Sequence, residues 1–164
     1  MKTNMLKTDN SNLSYFMIRI TLALVILPHG LQKLFGTFGG FGFDNSMKYF
    51  TETVGVPWIL GFLVIAAETF GMLLLAAGIF SRLVAASLIV VMFGAASVNV
   101  QNGFFMNWFG NQPGEGVEFF ILVIAMALLV TIQGGGKWSV DGWLAAPEDE
   151  KNKSAIRSKF ETTV

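Results

Sequence analysis

The sequence predicts an all-α membrane protein: a bundle of four transmembrane helices with a short helix lying in the outer interface. Hydrophobic residues make up 53% of the 164-residue chain and charged residues only 13%, about half of the ~25% charged share usual in soluble domains. The mean hydropathy is +0.59. Four apolar runs follow one another, and four spans of about 20 residues with their loops nearly exhaust the chain, so no separate soluble catalytic domain fits.

Residues 1–12 are polar and read as a flexible cytoplasmic N-terminus. Residues 13–144 form the transmembrane domain. Its first span, Leu13 to Phe35, is mostly apolar but carries Arg19, His29, Gln32 and Lys33. A cleaved signal peptide is the competing reading, and it fails because the apolar stretch is long and no small-residue cleavage site follows it. Between the first two spans Phe43, Met47, Phe50 and Val54 recur at helical spacing, while Asp44, Asn45, Lys48 and Glu52 occupy other faces. That pattern predicts an interfacial helix, a plug over the bundle or a roof over a lateral opening for a lipid-soluble molecule.

The second span, Trp58 to Phe80, has Glu68 as its one ionisable residue. A central acid costs ~2.5 to 3.5 kcal/mol on insertion, which about twenty apolar neighbours offset at a few tenths each. Leu83 to Val100 is the third span, without charge, and Val117 to Ile132 is the fourth and shortest. The loop Gly103 to Gly116 joins them as an outer lid or a plain turn. Residues 145–164 are rich in charge and poor in large apolar groups, which reads as a solvated cytoplasmic tail. No internal repeat argues for an inverted-repeat transporter.

Basic residues set the orientation. Lys2, Lys7, Arg19, Arg82, Lys137, Lys151, Lys153, Arg157 and Lys159 fall with the termini, against Lys33 and Lys48 on the other side, which predicts cytoplasmic N and C termini. Trp58 and Trp108 then lie at the outer interface, Trp138 and Trp143 at the inner one. Composition also excludes chemistries. Lysine plus arginine equals aspartate plus glutamate at 11 each, without the basic excess of a nucleic-acid binder. Zero cysteines and one histidine leave no disulfide relay, thiolate nucleophile, iron–sulfur cluster or covalent haem, and no two-histidine metal site within one copy. No metal site is expected.

Ionisable groups at membrane depth are the site candidates, because each is expensive there and faces a partner or a cavity. Glu68 lies ~15 Å past Trp58, near the middle of a ~30 Å core. Gly61, Gly71 and Gly78 fall on the same side of the span as Glu68, and small residues line helix contacts in membranes, so Glu68 faces the bundle interior. The expected partner is Arg19, giving a buried polar pair; the functional alternative makes Glu68 a proton acceptor. His29, Gln32 and Lys33 share one helical face, and Pro28 kinks the helix there by removing a backbone donor. Asn99 and Glu118 arrive at the same outer level. The simple reading has Lys33 snorkelling and paired with Glu118, and His29 as a packing residue. The sharper one is a pocket in which His29 and Lys33 hydrogen-bond a carbonyl or anionic oxygen and Glu118 orients one of them.

The stretches PHGLQKLFG at 28–36, AAETFGMLLLAAGIFSR at 66–82, GVEFF at 116–120 and GGGKWSVDGWL at 134–144 carry a resemblance. Embedding Arg19, His29, Lys33, Glu68, Arg82, Glu118 and Asp141 in that order, the chain resembles the DoxX family of small four-helix membrane proteins over roughly residues 14–144. The resemblance implies a bacterial inner-membrane protein associated with oxidoreductase systems, among them the membrane subunit of thiosulfate:quinone oxidoreductases and membrane-bound redox-stress complexes. Similar proteins often have a histidine at the end of the third span, where this chain has Asn99, Gln101 and Asn102. That departure argues against a two-histidine centre, and the missing cysteines separate the chain from four-helix relatives that support disulfide chemistry.

The functional expectation is the membrane subunit of an oxidoreductase complex that engages quinone in the outer half of the bundle, with membrane lipids and other protein subunits, or a second copy, as partners. Its rivals are a non-catalytic scaffold of a larger membrane complex and a small-solute or proton permease, for which one four-helix bundle encloses little space.

Overall fold

The computed structural model describes residues 12–145, so the expectations for the N-terminal segment before Asn12 and for the charged tail after Ala145 lie outside the described residues. Those described form an all-helical array without strands. Helix α1 runs Leu13–Phe35, and its first turn is capped by Asn12, whose Oδ1 accepts the N–H groups of Ser14 (2.9 Å) and Tyr15 (3.3 Å). It ends at Gly36 in the left-handed conformation, φ 72°, which glycine adopts without steric cost. Helix α2, Gly42–Lys48, continues into a wide π-turn over Tyr49–Thr53. The segment is helical, as the spacing of Phe43, Met47, Phe50 and Val54 predicts, and its Met47 and Phe50 press on Gly61 of the next helix.

Helix α3, Trp58–Ala66, passes through a second π-turn, Ala67–Gly71, into α4, Met72–Ala77. The sequence predicts this span to run on to Phe80; it stops three residues earlier, because Gly78 turns left-handed (φ 73°) and reverses the chain. Helix α5, Ser81–Asn99, extends through a tight turn at Val100–Asn102. Helix α6 covers Glu118–Gln133, and α7, Val140–Ala145, is a short terminal helix that the apolar pattern does not reveal.

Among the described residues, three stretches are long and apolar enough to cross a membrane: Leu13–Phe35, Trp58–Ala77 and Ser81–Asn102. The expected fourth, α6, has 16 residues, which at 1.5 Å each span about 24 Å of a ~30 Å core. Helix α1 packs against α4, the Ala67–Gly71 turn and α6, while α5 packs along α6 and touches α4. The core between them is apolar: Leu22, Ile26, Met72, Leu75, Leu88, Met92, Val123, Ala127 and Val130. Large apolar side chains such as Leu24, Phe62, Val90 and Leu122 face outward. On a soluble protein such a surface would drive association; against lipid tails it costs nothing.

Candidate functional site

Buried polar groups collect at the two ends of this core. One cluster is built where α1 crosses the Ala67–Gly71 turn. A π-turn holds one more residue per hydrogen-bonded ring than an α-helical turn, and here two consecutive polar residues, Glu68 and Thr69, are both buried. Gly30 makes the crossing possible: a Cβ there would collide with the Glu68 carbonyl group and with the Thr69 hydroxyl. Close approach lets Lys33, one turn further along α1, place its Nζ 2.5 Å from Glu68 Oε2. The lysine side chain is 29% exposed and the carboxylate 5%. The ammonium therefore stands between the buried acid and the open side of the helix. Thr69 Oγ1, behind it, is buried without a partner.

His29 lies one turn before Lys33 on the same face of α1. Its side chain is exposed on the helix surface, with its ring 5.9 Å from that of Phe119 at the start of α6, tilted by 51°. No described residue hydrogen-bonds the imidazole. The other expected members of this pocket are engaged elsewhere. Gln32 Nε2 donates to the Phe38 carbonyl at 3.3 Å, tying α1 to the turn that follows it. Asn99 Nδ2 donates back to Ala95 O, and its Oδ1 accepts from Asn102 Nδ2. Glu118 does not reach Lys33 or His29; its Oε1 accepts the Met106 N–H at 3.0 Å and the Trp108 indole N–H at 3.2 Å. Glu118 and Asn99 shape the 103–117 loop, and the face shared by His29 and Lys33 is what remains of the expected five-residue convergence.

The second cluster surrounds Arg19. This residue is 1% exposed, and its Nη2 donates to the Lys137 and Trp138 carbonyls, both at 3.4 Å. The guanidinium also stands over the Phe16 ring, 5.4 Å from the centroid. The expected Arg19–Glu68 pair is not formed, and the helix register explains why. Gly30 lies opposite Glu68, while Arg19 lies opposite Gly78; the eleven residues from Arg19 to Gly30 amount to about 16 Å along α1, beyond the reach of an arginine stem.

The charge acting on Arg19 is that of Asp141, from α7. Asp141 Oδ1 accepts the Phe80 N–H at 2.9 Å and Oδ2 the Ser81 N–H at 2.7 Å, so a carboxylate sixty residues away in sequence caps the first turn of α5. Arg82, beside that cap, donates to the Thr131 and Ile132 carbonyls at the end of α6. Ser139 completes the knot, its hydroxyl donating to Gly136 O and accepting the Gly142 N–H. Sequence reasoning missed this set. Its trace is the pairing of a helix start that has no cap of its own, Phe80–Ser81, with an aspartate inside the GGGKWSVDGWL string.

Compared with known proteins, residues 14–108 match the family model described as DoxX. No curated protein and no solved structure matches the chain. The matched stretch includes Arg19, His29, Lys33 and Glu68, and ends before Glu118 and Asp141.

Proposed function

The chain belongs to the DoxX family, and on that premise we propose that it is the quinone-engaging membrane subunit of an oxidoreductase complex. In this reading it sits in a bacterial inner membrane with both termini cytoplasmic, as the distribution of lysine and arginine favours, and α6 makes the fourth crossing. The Lys33 end then lies in the outer half of the bilayer and the Arg19 end in the inner half.

One observation carries the proposal: at membrane depth, beside a buried ion pair, His29 holds an exposed ring whose nitrogens have no partner among the described residues. An imidazole at such depth is costly unless something polar meets it. A quinone head group presents two carbonyl oxygens, and its reduction takes up electrons and protons. His29 suits one oxygen as donor. Lys33 suits the same head group because an ammonium has three donors and Glu68 Oε2 takes one, leaving N–H groups on the exposed side of the stem. Glu68 holds the lysine in place and keeps its charge compensated. Phe119 offers a ring face beside the head group, and the outward side chains of Val25, one turn before His29, and Leu122, one turn after Phe119, continue the surface as a path for an apolar tail. The filled axis, with Leu22, Ile26, Met72, Leu75 and Leu88 fully or nearly fully buried, argues against a permeation pathway through one copy.

The test is quinone binding to purified protein in lipid nanodiscs, titrated with a benzoquinone and a naphthoquinone carrying short isoprenoid tails. His29→Ala is expected to weaken binding about tenfold, which is ~1.4 kcal/mol. Saturable binding that His29→Ala leaves unchanged would move the head group elsewhere. Absence of binding would leave the scaffold reading.

A further inference from the structure

The loop between α5 and α6 is built to hold aromatic side chains away from the protein. No ionisable residue occurs from Gly103 to Gly114, yet Phe104, Phe105, Trp108 and Phe109 are 53%, 67%, 78% and 87% exposed. That exposure does not come from a lack of structure. Glu118 Oε1 holds Met106 N and the Trp108 indole, and Glu115 Oε2 accepts Asn107 N at 2.8 Å. The Asn107 side chain exchanges two hydrogen bonds with the Gln112 backbone. The loop base closes through Val117 N to Gly103 O and Glu118 N to Phe104 O, and Gly116 lies so tightly on the Phe104 and Phe105 carbonyls that no Cβ would fit. Two carboxylates and a net of backbone bonds thus present the Trp108–Phe109 tip outward.

We infer that this loop is a bilayer anchor, with Trp108 and Phe109 seated at the boundary between head groups and acyl chains. Continuity with the lipid-facing surface picks the occupant. At the same end of the molecule, the last residue of α1 and the segment after it supply Phe35, Phe38 and Phe41, which are likewise strongly exposed in a stretch without charge, and α3 opens with exposed Trp58, Ile59 and Phe62. These join the outward apolar faces of the membrane-crossing helices into one surface. An indole suits that depth because its ring is apolar and its N–H needs an acceptor; here Glu118 supplies the acceptor, so the ring can enter the boundary without leaving a bare donor. Rigid presentation lowers the ordering cost of insertion. The inference stands whether or not the protein binds quinone.

Trp108 and the absence of cysteine provide two independent measurements. A variant with Trp58, Trp138 and Trp143 changed to phenylalanine leaves Trp108 as sole emitter in phosphatidylcholine vesicles. Its emission is expected to be blue-shifted, strongly quenched by lipids brominated near the top of the acyl chain, and little affected by iodide. Should that triple variant fail to fold, Phe109→Cys in the otherwise unchanged chain carries a nitroxide, expected to relax faster with oxygen than with a water-soluble nickel chelate. Quenching by iodide without an effect of brominated lipid, or stronger relaxation by nickel, overturns the inference by placing the tip in water. Shielding from all of these probes also overturns it and points to a protein partner instead.

Discussion

The two ends of the bundle hold their cations in opposite ways. Arg19 is fixed by the backbone: its guanidinium meets two main-chain carbonyls, and its counter-charge, Asp141, is itself anchored on two backbone N–H groups. Lys33 is held by a side chain alone, on a stem that is partly exposed, next to a histidine ring without a hydrogen-bond partner among the described residues. Backbone partners cannot move without unfolding a turn, so a charge they hold serves to lock helices together. Arg19 Nε and Nη1 are shut in without a hydrogen-bond partner among the described residues, whereas the remaining N–H groups of the partly exposed Lys33 can meet a newcomer. The contrast assigns structure to one end and recognition to the other.

The largest effect should come from breaking the Arg19 lock through a glycine. Gly78 has φ 73°, and a Cβ there would collide with the Arg19 guanidinium and with Ser139. Left-handed strain of ~1–2 kcal/mol adds to an overpacking cost of ~1–3 kcal/mol. Gly78→Ala is expected to lower the thermal midpoint in detergent severely or to prevent accumulation of folded protein. A variant as stable as the parent would show that this end is not a lock.

Next in size is Glu68→Ala. Breaking a buried pair by removing one member costs about 3–5 kcal/mol, and the 29% exposure of Lys33 places this case toward the low end, because the orphaned ammonium can turn outward. Replacing both residues with methionine should restore most of the stability, since an apolar pair of similar volume is often as good. Denaturation of these two variants and the parent in mixed micelles checks this. Failure of the double variant to recover would show that the pair supports more than its own charges. Smaller again is Asp141→Ala, which uncaps α5 and should cost about 1–2 kcal/mol, with faster amide exchange confined to the Phe80–Val84 turn as its signature.

How far the sequence reveals this contrast depends on whether a signal is local. The membrane class and the three long spans follow from runs and spacings that involve neighbours in the chain. The shared face of His29 and Lys33 follows from helical period alone. The partner of Glu68 does not: choosing between Arg19 and Lys33 requires the register of α1 against α3 and α4, and that register is set by Gly30 nesting on a π-turn that no periodicity announces. Asp141 was illegible for the same reason, as its acceptor role is defined by Phe80 and Ser81, sixty residues earlier. For Glu118 the sequence suggests an ion pair with Lys33, but the Met106 N–H and the Trp108 indole N–H in the adjoining loop take the carboxylate instead.

The smallest expected effect on stability is also the one that separates the ends most sharply. His29 makes no hydrogen bond within the described residues, and its ring lies tilted beside that of Phe119. Removing an exposed side chain of this kind changes stability by no more than about 0.5 kcal/mol. If the Lys33 end recognises a head group, His29→Ala should therefore leave the unfolding midpoint in place while ligand affinity falls. No residue at the Arg19 end should show that split, since any substitution there lowers stability first. His29→Gln adds a finer test: an amide can donate to a carbonyl oxygen but cannot become a cation. Binding retained in the glutamine variant and lost in alanine would assign the ring a hydrogen-bonding role. Destabilisation by both substitutions equally would make His29 a packing residue and erase the difference between the two ends.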